Sequence, residues 1–430
     1  MSAGWAIALS LLLALLVVGA TVTYTTGAVA MLGYGLVGEE AFLAALPRRI
    51  FSQLDVFALM AMPLFILLGE LMNRGGITAA LIDFAQAVVG RLRGALGYVN
   101  VLTSVFFAGI SGAAMADAAA LGNTLVPAMR RKGYSLDYAA AITAASSIIG
   151  PIVPPSIIMV FYGAVMGVDV AALFAGGLVP GLLLATCLLL TNSVAARLFG
   201  HPGGGASPDQ PPLGRSFLLA APALLLPMII IVGVILGWMT PTEAAAVAVL
   251  LALVICAGFR QLGRVMLAAS LKRTVIVSGA IFAMLAIAAT VNFLGAVTLF
   301  PQTVAGQIGD WGLEGVHYLI LLFFVFLLFG MIAETQIALV LVAPLLVPIA
   351  LAQGADPVHL GVVTCLNLSM GLITPPLGGV LLVTASVTGI NYWRLVVVTL
   401  PFVALQLGLL FMLYLVPEIT LWLPRRLALA

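Results

Sequence analysis

Gly150-Pro-Ile-Val-Pro-Pro155 interrupts a long apolar segment of this chain, and Gly371-Leu-Ile-Thr-Pro-Pro376 interrupts another at an offset of 221 residues. Glycine and proline break helices, because proline lacks the backbone N–H and glycine loses the most conformational entropy on folding. In a lipid bilayer the freed N–H and C=O groups are costly unless other groups satisfy them. Two breaks at matching places in two halves therefore predict the midplane binding site of a secondary transporter.

The composition is that of a membrane protein. Of the 430 residues, 63% are hydrophobic and 7% are charged, whereas soluble domains carry about 25% charged residues. The formal net charge of +2 gives no reason to expect a nucleic-acid partner. Cys187, Cys256 and Cys365 lie far apart without metal-ligand spacing, so we expect buried apolar thiols. We therefore predict an all-α polytopic protein embedded in the lipid bilayer.

Long apolar segments mark the predicted membrane spans, since about 20 residues cross a bilayer. These segments are 5–32, 54–72, 138–165, 171–198, 217–238, 242–258, 275–296, 359–387 and 394–416. The first begins without a basic n-region, so we interpret it as a retained span and not a cleaved signal. Regions 95–129 and 316–352 have small or polar centres and are short for two crossings. We predict a re-entrant hairpin in each; two short spans joined by a tight loop are the alternative.

The repeat extends beyond the two breaks. At the same offset Gly109 matches Gly330, Pro127 matches Pro348, Gly133 matches Gly354 and Thr143 matches Thr364. Each half is therefore predicted to contain a hairpin, a short loop and a broken helix. The predicted domains are an N-terminal scaffold helix and connector at 1–52, repeat 1 at 53–172, linking helices at 173–273 with a soluble linker at 200–215, repeat 2 at 274–393 and a C-terminal helix at 394–430. His201, in the linker, is expected to be solvated.

Charge indicates that the two repeats have opposite orientations. Basic residues flank the first hairpin on both sides, whereas 274–393 contains no lysine or arginine. By the positive-inside rule, both ends of the first hairpin should be cytoplasmic. The second hairpin ends near Asp356 and should open outward. The basic pairs Arg48-Arg49 and Lys272-Arg273 argue against simple inversion, unless they lie on horizontal surface helices.

Neutral oxygen atoms cluster at both breaks. A broken helix exposes carbonyls, which suit Na⁺, and N–H groups, which suit a carboxylate. We predict a Na⁺ site at each junction of hairpin tip and break. The residues concerned are Ser111, Gly112, Thr143, Ser146, Ser147 and Ser156 in the first half, and Ala333, Glu334, Thr335, Asn367, Ser369 and Thr374 in the second. The alternative is that the hydroxyls and amides bond to nearby carbonyls or to a neighbouring helix.

Few acidic residues lie in the apolar segments, and each should have a partner or a water-filled cavity. Asp117 belongs to the inner arm of the first hairpin, and Glu334 to the second tip. For both, a structural role and a role in coupling are equally open. Glu243 is expected to take part in a helix start at Thr240 or Thr242. The histidines are isolated, and HExxH, GxSxG and Walker-type motifs are absent. We therefore expect no enzymatic activity, and an ion gradient as the energy source.

Ordered motifs from about residue 50 to 400 resemble one family. They are Phe65-Ile-Leu-Leu-Gly-Glu-Leu-Met72 with Gly75-Gly76-Ile77, Phe106-Phe-Ala-Gly-Ile-Ser-Gly112, Ala116-Asp-Ala-Ala-Ala-Leu-Gly122, Ala144-Ala-Ser-Ser-Ile-Ile-Gly-Pro-Ile-Val-Pro-Pro-Ser156, Pro241-Thr-Glu-Ala244, Asp356-Pro-Val-His359 and Asn367 to Pro376. By these motifs the chain resembles the large membrane subunit of the TRAP (tripartite ATP-independent periplasmic) transporters, of the DctM or SiaM type.

The resemblance implies a Na⁺-driven importer of a small organic acid, such as a C4-dicarboxylate or sialic acid, in the inner membrane of a bacterium or archaeon. It implies a periplasmic substrate-binding protein (DctP or SiaP type) and a small four-helix membrane subunit (DctQ or SiaQ type). It also implies an elevator, in which a transport domain with both hairpins slides against a fixed scaffold. Because the chain starts with the large-subunit pattern, the small subunit is expected to be a separate polypeptide.

The resemblance also places the cation sites near the hairpin tips and the broken helices. The matching positions are Ser111, Gly112, Ser146, Ser147, Gly150, Pro154, Pro155, Asn367, Gly371, Thr374, Pro375 and Pro376. Thr335 joins this set from its place at the second tip. The predicted substrate-binding residues are Ser111, Gly112, Ser156 and Thr374. One position departs from the family's usual Ser-Gly-Ser-Ala: Ala113 leaves only a backbone carbonyl for a cation there.

We therefore predict the large permease subunit of a tripartite Na⁺-coupled transporter, with an inverted repeat, two re-entrant hairpins and two broken helices. One alternative is a stand-alone ion-coupled carrier of organic anions with related architecture. The other, of a different class, is an ion channel in which the breaks form a filter.

Overall fold

The computed structural model describes residues 10, 11, 14, 22–202 and 212–429, which form α-helices joined by short loops and 3-10 turns. The first half contains α1 (Val22–Val37), α2 (Leu46–Leu54), α3 (Ala61–Arg74), α4 (Ile77–Val89), α5 (Ala95–Ser111), α6 (Ala114–Arg131), α7 (Leu136–Ser147), α8 (Ile157–Met166) and α9 (Val170–Leu198). The second half contains α10 (Leu213–Ile235), α11 (Pro241–Gly258), α12 (Arg264–Val297), α13 (Phe300–Asp310), α14 (Val316–Ile332), α15 (Thr335–Ala352), α16 (Pro357–Gly371), α17 (Gly379–Thr388), α18 (Tyr392–Leu415) and α19 (Glu418–Arg426).

Seven helical segments of the described chain are long and apolar enough to cross a membrane. They are Phe57–Arg74, which ends in α3, and α9, α10, α11, α12, α15 and α18. The predicted all-α polytopic fold is confirmed. The span predicted at 5–32 lies partly outside the described residues.

Helix caps fix where α11 and α16 begin. Thr240 and Glu243 form a reciprocal capping box at the start of α11, as predicted. Asp356 accepts hydrogen bonds from the N–H groups of Val358 at 2.8 Å and His359 at 3.1 Å. Because a side-chain cap satisfies donors that the first turn leaves free, it fixes the start of α16 beside the second hairpin.

The internal repeat is present at the level of whole helices. Hairpin 1 consists of α5 and α6, and hairpin 2 consists of α14 and α15; their bounds coincide at the offset of 221 residues. Broken helix 1 consists of α7 and α8, and broken helix 2 of α16 and α17. The peptide bonds Pro154–Pro155 and Pro375–Pro376 are both cis.

The long helix α9 shows that the two hairpins open in opposite directions. Near its start, a Cβ on Gly176 would lie 2.9 Å from Val362 and 3.3 Å from Val358, beside the base of hairpin 2. Near its end, Ala196 contacts Gly94, where a Cβ would lie 2.5 Å from that of Ala196, at the base of hairpin 1. At a rise of about 1.5 Å per residue the two contacts are about 30 Å apart, which is the thickness of a bilayer's hydrocarbon core. This is the arrangement that an inverted repeat requires.

An ion pair connects the start of α18 to repeat 1 at the end that holds the base of hairpin 1. Arg394, at the start of α18, donates to Oδ2 of Asp137 from Nη2 at 2.8 Å and from Nε at 3.1 Å. Asp137 lies in the first turn of α7. Broken helix 2 therefore leaves the membrane region at the end where broken helix 1 enters it.

His201 is not solvated, so that expectation is wrong. Its side chain is buried, and its ring centre lies 4.2 Å from that of Tyr138 and 4.9 Å from that of Tyr134. The N–H of Gly94 donates to the carbonyl of Pro202 at 3.1 Å, which holds this segment on the base of hairpin 1. Residues 203–211 of the predicted linker lie outside the described residues, and α10 begins at Leu213, before the linker's expected end.

Candidate functional site at the two breaks

The first break is enclosed, and its polar groups bond to one another. Residues 148–156, between α7 and α8, are buried. The Ser147 hydroxyl donates to the carbonyl of Ala144 at 2.8 Å, and the N–H of Gly150 donates to the carbonyl of Ser147 at 3.1 Å. Ser156 caps α8 and donates its hydroxyl to the carbonyl of Pro151. The break is therefore a compact turn in which backbone and hydroxyl oxygens are concentrated.

The second break is more open than the first. The Thr374 hydroxyl donates to the carbonyl of Met370 at 2.8 Å, within a buried turn. Pro376 and Leu377 are exposed on the isolated chain. Their carbonyls accept from the hydroxyl of Tyr392, at 2.7 Å and 2.9 Å. The two breaks thus share a sequence pattern but differ in their surroundings.

Hairpin 1 ends against the first break. Gly112 follows α5 with a φ of 57°, a left-handed conformation that favours glycine. A Cβ on Gly112 would lie 2.8 Å from the carbonyl oxygen of Pro155 and 3.0 Å from the nitrogen of Ile157. The absence of a side chain therefore lets the tip backbone touch the break. The predicted ligand Ser111 ends α5, but its side chain lies outside the described part of the structure.

Hairpin 2 meets broken helix 2 through a glycine of its first arm. A Cβ on Gly330, in α14, would lie 2.6 Å from the carbonyl oxygen of Leu368 in α16. At the tip, Glu334 is exposed on the isolated chain, and the Thr335 hydroxyl donates to Oε1 of Gln336 at 3.0 Å. In both halves a glycine brings hairpin and broken helix into backbone contact.

A buried polar network ties hairpin 1 to broken helix 1. The Ser146 hydroxyl donates to Oδ1 of Asn100 at 2.9 Å and accepts from Ser104 at 2.9 Å. Nδ2 of Asn100 donates to the Thr143 hydroxyl at 2.7 Å. For Thr143 and Ser146 these contacts match the alternative interpretation, in which hydroxyls bond across helices.

Asn367 makes the corresponding link in the second half. Its Nδ2 donates to the carbonyl of Phe323 in α14 at 2.9 Å and to the Tyr414 hydroxyl in α18 at 3.0 Å. The side chain is fully buried. Asn367 therefore joins hairpin 2, broken helix 2 and α18 at one point.

The structure brings Asp117 to the first break. Asp117 lies in the first turn of α6 and is fully buried. A Cβ on Gly150 would lie 2.5 Å from its Oδ2, so a larger residue at that position would displace the carboxyl group. Repeat 2 has Ala338 at the equivalent place. Only the first break is therefore lined by a carboxyl group at this position.

Two contacts to the breaks were missed by sequence reasoning. Gln406 of α18 donates from Nε2 to the carbonyl of Ala145, two residues before the end of α7. Tyr392, at the start of α18, reaches Pro376 and Leu377 as described above. Gln406 was detectable in principle as a lone amide in an apolar helix, whereas a tyrosine at a helix start gives no such signal.

The arrangement suits a cation held by neutral oxygens. Among the described residues, no group of three or more His, Cys, Asp and Glu side chains is placed to hold a metal ion. Both breaks instead supply carbonyl and hydroxyl oxygens, the ligands of alkali and alkaline-earth cations. The start of each second half-helix supplies N–H groups suited to a carboxylate.

The comparison with protein families decides the identity of the chain. The model of the DctM component of the tripartite ATP-independent periplasmic transporters matches residues 9–419. The chain belongs to the DctM family. It is 37% identical over 390 residues to the sialic acid TRAP transporter large permease protein SiaM of Vibrio cholerae, covering 88% of each chain. It is 35% identical over 390 residues to the C4-dicarboxylate TRAP transporter large permease protein DctM of Pseudomonas aeruginosa, covering 88% of this chain and 89% of the relative.

This DctM-family chain also shares its fold with a transporter of known structure. The YdaH transporter of Alcanivorax borkumensis superposes with a TM-score of 0.61 at 14% identity, and the match covers 89% of each chain. At that identity the likeness concerns the fold alone. Members of the DctM family are transporter permeases, so the expectation that the chain is not an enzyme is confirmed.

Proposed function

We propose that this chain is the large permease subunit of a Na⁺-coupled tripartite importer of a small organic acid, located in the inner membrane. The observation that supports the proposal most is the contact of each glycine-containing hairpin arm with its own broken helix, once in each of two opposed repeats. The carbonyls and hydroxyls concentrated there suit Na⁺, and the half-helix N-termini suit a carboxylate.

Coupling follows if the ion and the organic acid stabilise the same arrangement. Na⁺ at the two junctions draws tip and break together, and the ordered N–H groups and hydroxyls then hold the carboxylate. Each ligand must raise the affinity for the other by the same factor. The hairpins and broken helices then move as an elevator against the remaining helices, and the low Na⁺ concentration of the cytoplasm favours release.

The cargo and the partners follow from the family. The two relatives described above are named for sialic acid and for C4-dicarboxylates, both of which carry carboxylates, so we infer a small carboxylate here. A periplasmic binding protein would deliver it to the end that holds the base of hairpin 2. A small membrane subunit would join the exposed apolar faces of the scaffold helices.

Uptake into proteoliposomes tests the proposal. The chain, its small subunit and the binding protein are reconstituted, and labelled sialic acid and succinate serve as probes. Uptake is measured with an inward Na⁺ gradient, with equal Na⁺ on both sides, and with K⁺ in place of Na⁺. We expect uptake of at least one probe only with the Na⁺ gradient. Uptake of the same rate without Na⁺ would refute the coupling, and uptake without the binding protein would favour a stand-alone carrier. Electrical conductance without saturation would favour a channel.

A further inference from the structure

One helix, α18, is hydrogen-bonded to both broken helices, to the first just before its break and to the second at its break. Gln406 donates from Nε2 to the carbonyl of Ala145 at 3.0 Å, beside the first break. The hydroxyl of Tyr392, at the start of the same helix, lies 2.7 Å from the carbonyl oxygen of Pro376 and 2.9 Å from that of Leu377, at the second break. The two side chains are 14 residues apart, or about 21 Å along the helix axis.

With the hydrogen bond from Gln406, each of the last four carbonyls of α7 has a donor. The last four carbonyls of a helix have no intrahelical donor. The carbonyl of Ala144 accepts from the Ser147 hydroxyl. The carbonyl of Ser146 accepts from the N–H of Ile149, and that of Ser147 from the N–H of Gly150. The carbonyl of Ala145 accepts from Gln406. α18 therefore supplies the donor that the local chain does not.

Gln406 is also incompletely bonded. Its side chain is fully buried, and its Oε1 has no hydrogen-bond partner among the described residues. Buried polar atoms without partners are rare in native proteins, and a water or an ion is one of the partners that can satisfy them. The free amide oxygen lies next to the break, where a further partner could bind.

Tyr392 differs from Gln406 in that its hydroxyl bonds to two carbonyls. One hydroxyl proton is shared by two carbonyls, so the oxygens of Pro376 and Leu377 converge on a single point. These carbonyls lie on the exposed side of the second break. A cation that drew on either oxygen would compete with the Tyr392 proton and change the tie between the break and α18.

The equivalent helix of repeat 1 provides neither contact. At the offset of 221 residues, α9 has Ala171 in place of Tyr392 and Ala185 in place of Gln406. The tie between the two breaks is therefore a property of α18 and not a by-product of the repeat.

We propose that α18 is a strut that couples the two breaks, with Tyr392 and Gln406 as its positioning residues. The inference rests on the proposed Na⁺ binding at both breaks. Occupation of one break changes the carbonyls that hold its end of α18, and the rigid helix transmits the change to the carbonyl held at the other end. Na⁺ binding at the two breaks is then cooperative.

Binding of ²²Na⁺ to the purified chain tests the strut, with Na⁺ alone as the ligand. The variants are Tyr392→Phe, Gln406→Met and the double variant. Thr399→Val is the matched control, since Thr399 is a fully buried residue of α18 whose hydroxyl, among the described residues, bonds to the carbonyl of Leu395 in the same helix. Tyr392→Phe changes a partly exposed residue, so it keeps the test valid if Gln406→Met does not fold.

The wild type and Thr399→Val should bind Na⁺ with a Hill coefficient above one. Each single variant should bring the coefficient close to one and change the half-saturating Na⁺ concentration at least about fivefold. The double variant should change neither quantity further, because the loss of either bond alone already breaks the coupling. Unchanged Hill coefficients, or effects of the single variants that multiply in the double variant, would overturn the strut. A wild type that bound no Na⁺ would refute the proposed function, and the coupling with it.

Discussion

Gly371, the last residue of α16, packs backbone to backbone against Gly330 of α14: a Cβ on Gly371 would lie 2.1 Å from the carbonyl carbon of Gly330. The flexible end of a side chain can move aside for an added Cβ, but a backbone carbonyl in a buried helix cannot. Hairpin 2 and broken helix 2 therefore depend on two glycines for their approach at the second break.

Substitution of Gly371 by alanine should separate the hairpin from the break. We expect Gly371→Ala to insert into the membrane but to lose more than about 90% of uptake, since misplacement by about 1 Å costs on the order of 10²-fold in positioned sites. Gly279→Ala is the control, because Gly279 lies in α12 with open space around it. Uptake in proteoliposomes, corrected for the amount of inserted protein, is the measurement. Equal activity of the two variants would show that the close approach is not required.

The hydrogen-bond network around Asn100 should contribute more to the free energy of unfolding than the neighbouring buried hydroxyl of Thr103 does. Asn100→Leu removes the hydrogen bonds that Asn100 makes to the Thr143 and Ser146 hydroxyls, while both hydroxyls keep a bond to a carbonyl of α7. The loss of two buried hydrogen bonds should cost about 1–3 kcal/mol in the free energy of unfolding. Thr103→Val is the control, because the buried Thr103 hydroxyl has no partner among the described residues; it should change stability by less than about 0.5 kcal/mol. Unfolding in mixed micelles with increasing SDS gives both values. A loss as large for Thr103→Val as for Asn100→Leu would contradict the assignment.

His201 should make the base of hairpin 1 sensitive to pH. Burial and the nearby charge of Arg93 lower the pKa of His201 below its usual value, so the docked segment favours the neutral ring. Its contribution to stability is complete above about pH 6.5, the pKa of a free histidine, and is lost as the pH falls toward the lowered pKa. We expect the midpoint of thermal unfolding to fall between pH 7.5 and 5.5 in the wild type and less so in His201→Phe. His317→Phe, at an exposed histidine, should behave like the wild type, and the same pH dependence in all three proteins would exclude His201 as the cause.

Glycine and proline make the architecture predictable from the sequence, because they change the allowed backbone conformations whatever surrounds them. The breaks, the hairpins and the repeat could therefore be predicted, with Gly112 and Gly371 at close contacts. The role of a hydroxyl depends on which helix faces it, which is a tertiary property. Ser146 and Thr143 consequently bond to Asn100, an amide in an apolar helix whose partners the sequence does not indicate. For the same reason the sequence does not predict the burial of His201: its loop docks on Tyr134 and Tyr138, which the composition of the loop does not indicate.

The opposed orientation of the hairpins predicts opposite accessibility of their bases. Single cysteines replacing Arg131, at the end of α6, and Ala352, at the end of α15, are placed in a background without Cys187, Cys256 and Cys365. In intact cells a membrane-impermeant maleimide should label position 352 and not position 131, and permeabilised cells should show both. Labelling of both positions in intact cells would contradict the orientation.

Loss of a hydroxyl at either break should weaken Na⁺ binding without unfolding the chain. Ser147→Ala and Thr374→Ala each remove one neutral oxygen whose present bond is to a nearby carbonyl of the same broken helix, so each variant loses one local hydrogen bond of about 1 kcal/mol and none between helices. One oxygen ligand at roughly 1 kcal/mol corresponds to a rise of about 3- to 10-fold in the Na⁺ concentration for half-maximal uptake. Ser278→Ala, a buried hydroxyl in α12 far along the chain from both breaks, should leave that concentration unchanged. If Ser147→Ala and Thr374→Ala also leave it unchanged, these side chains are not Na⁺ ligands, and the cation must be held by backbone carbonyls alone.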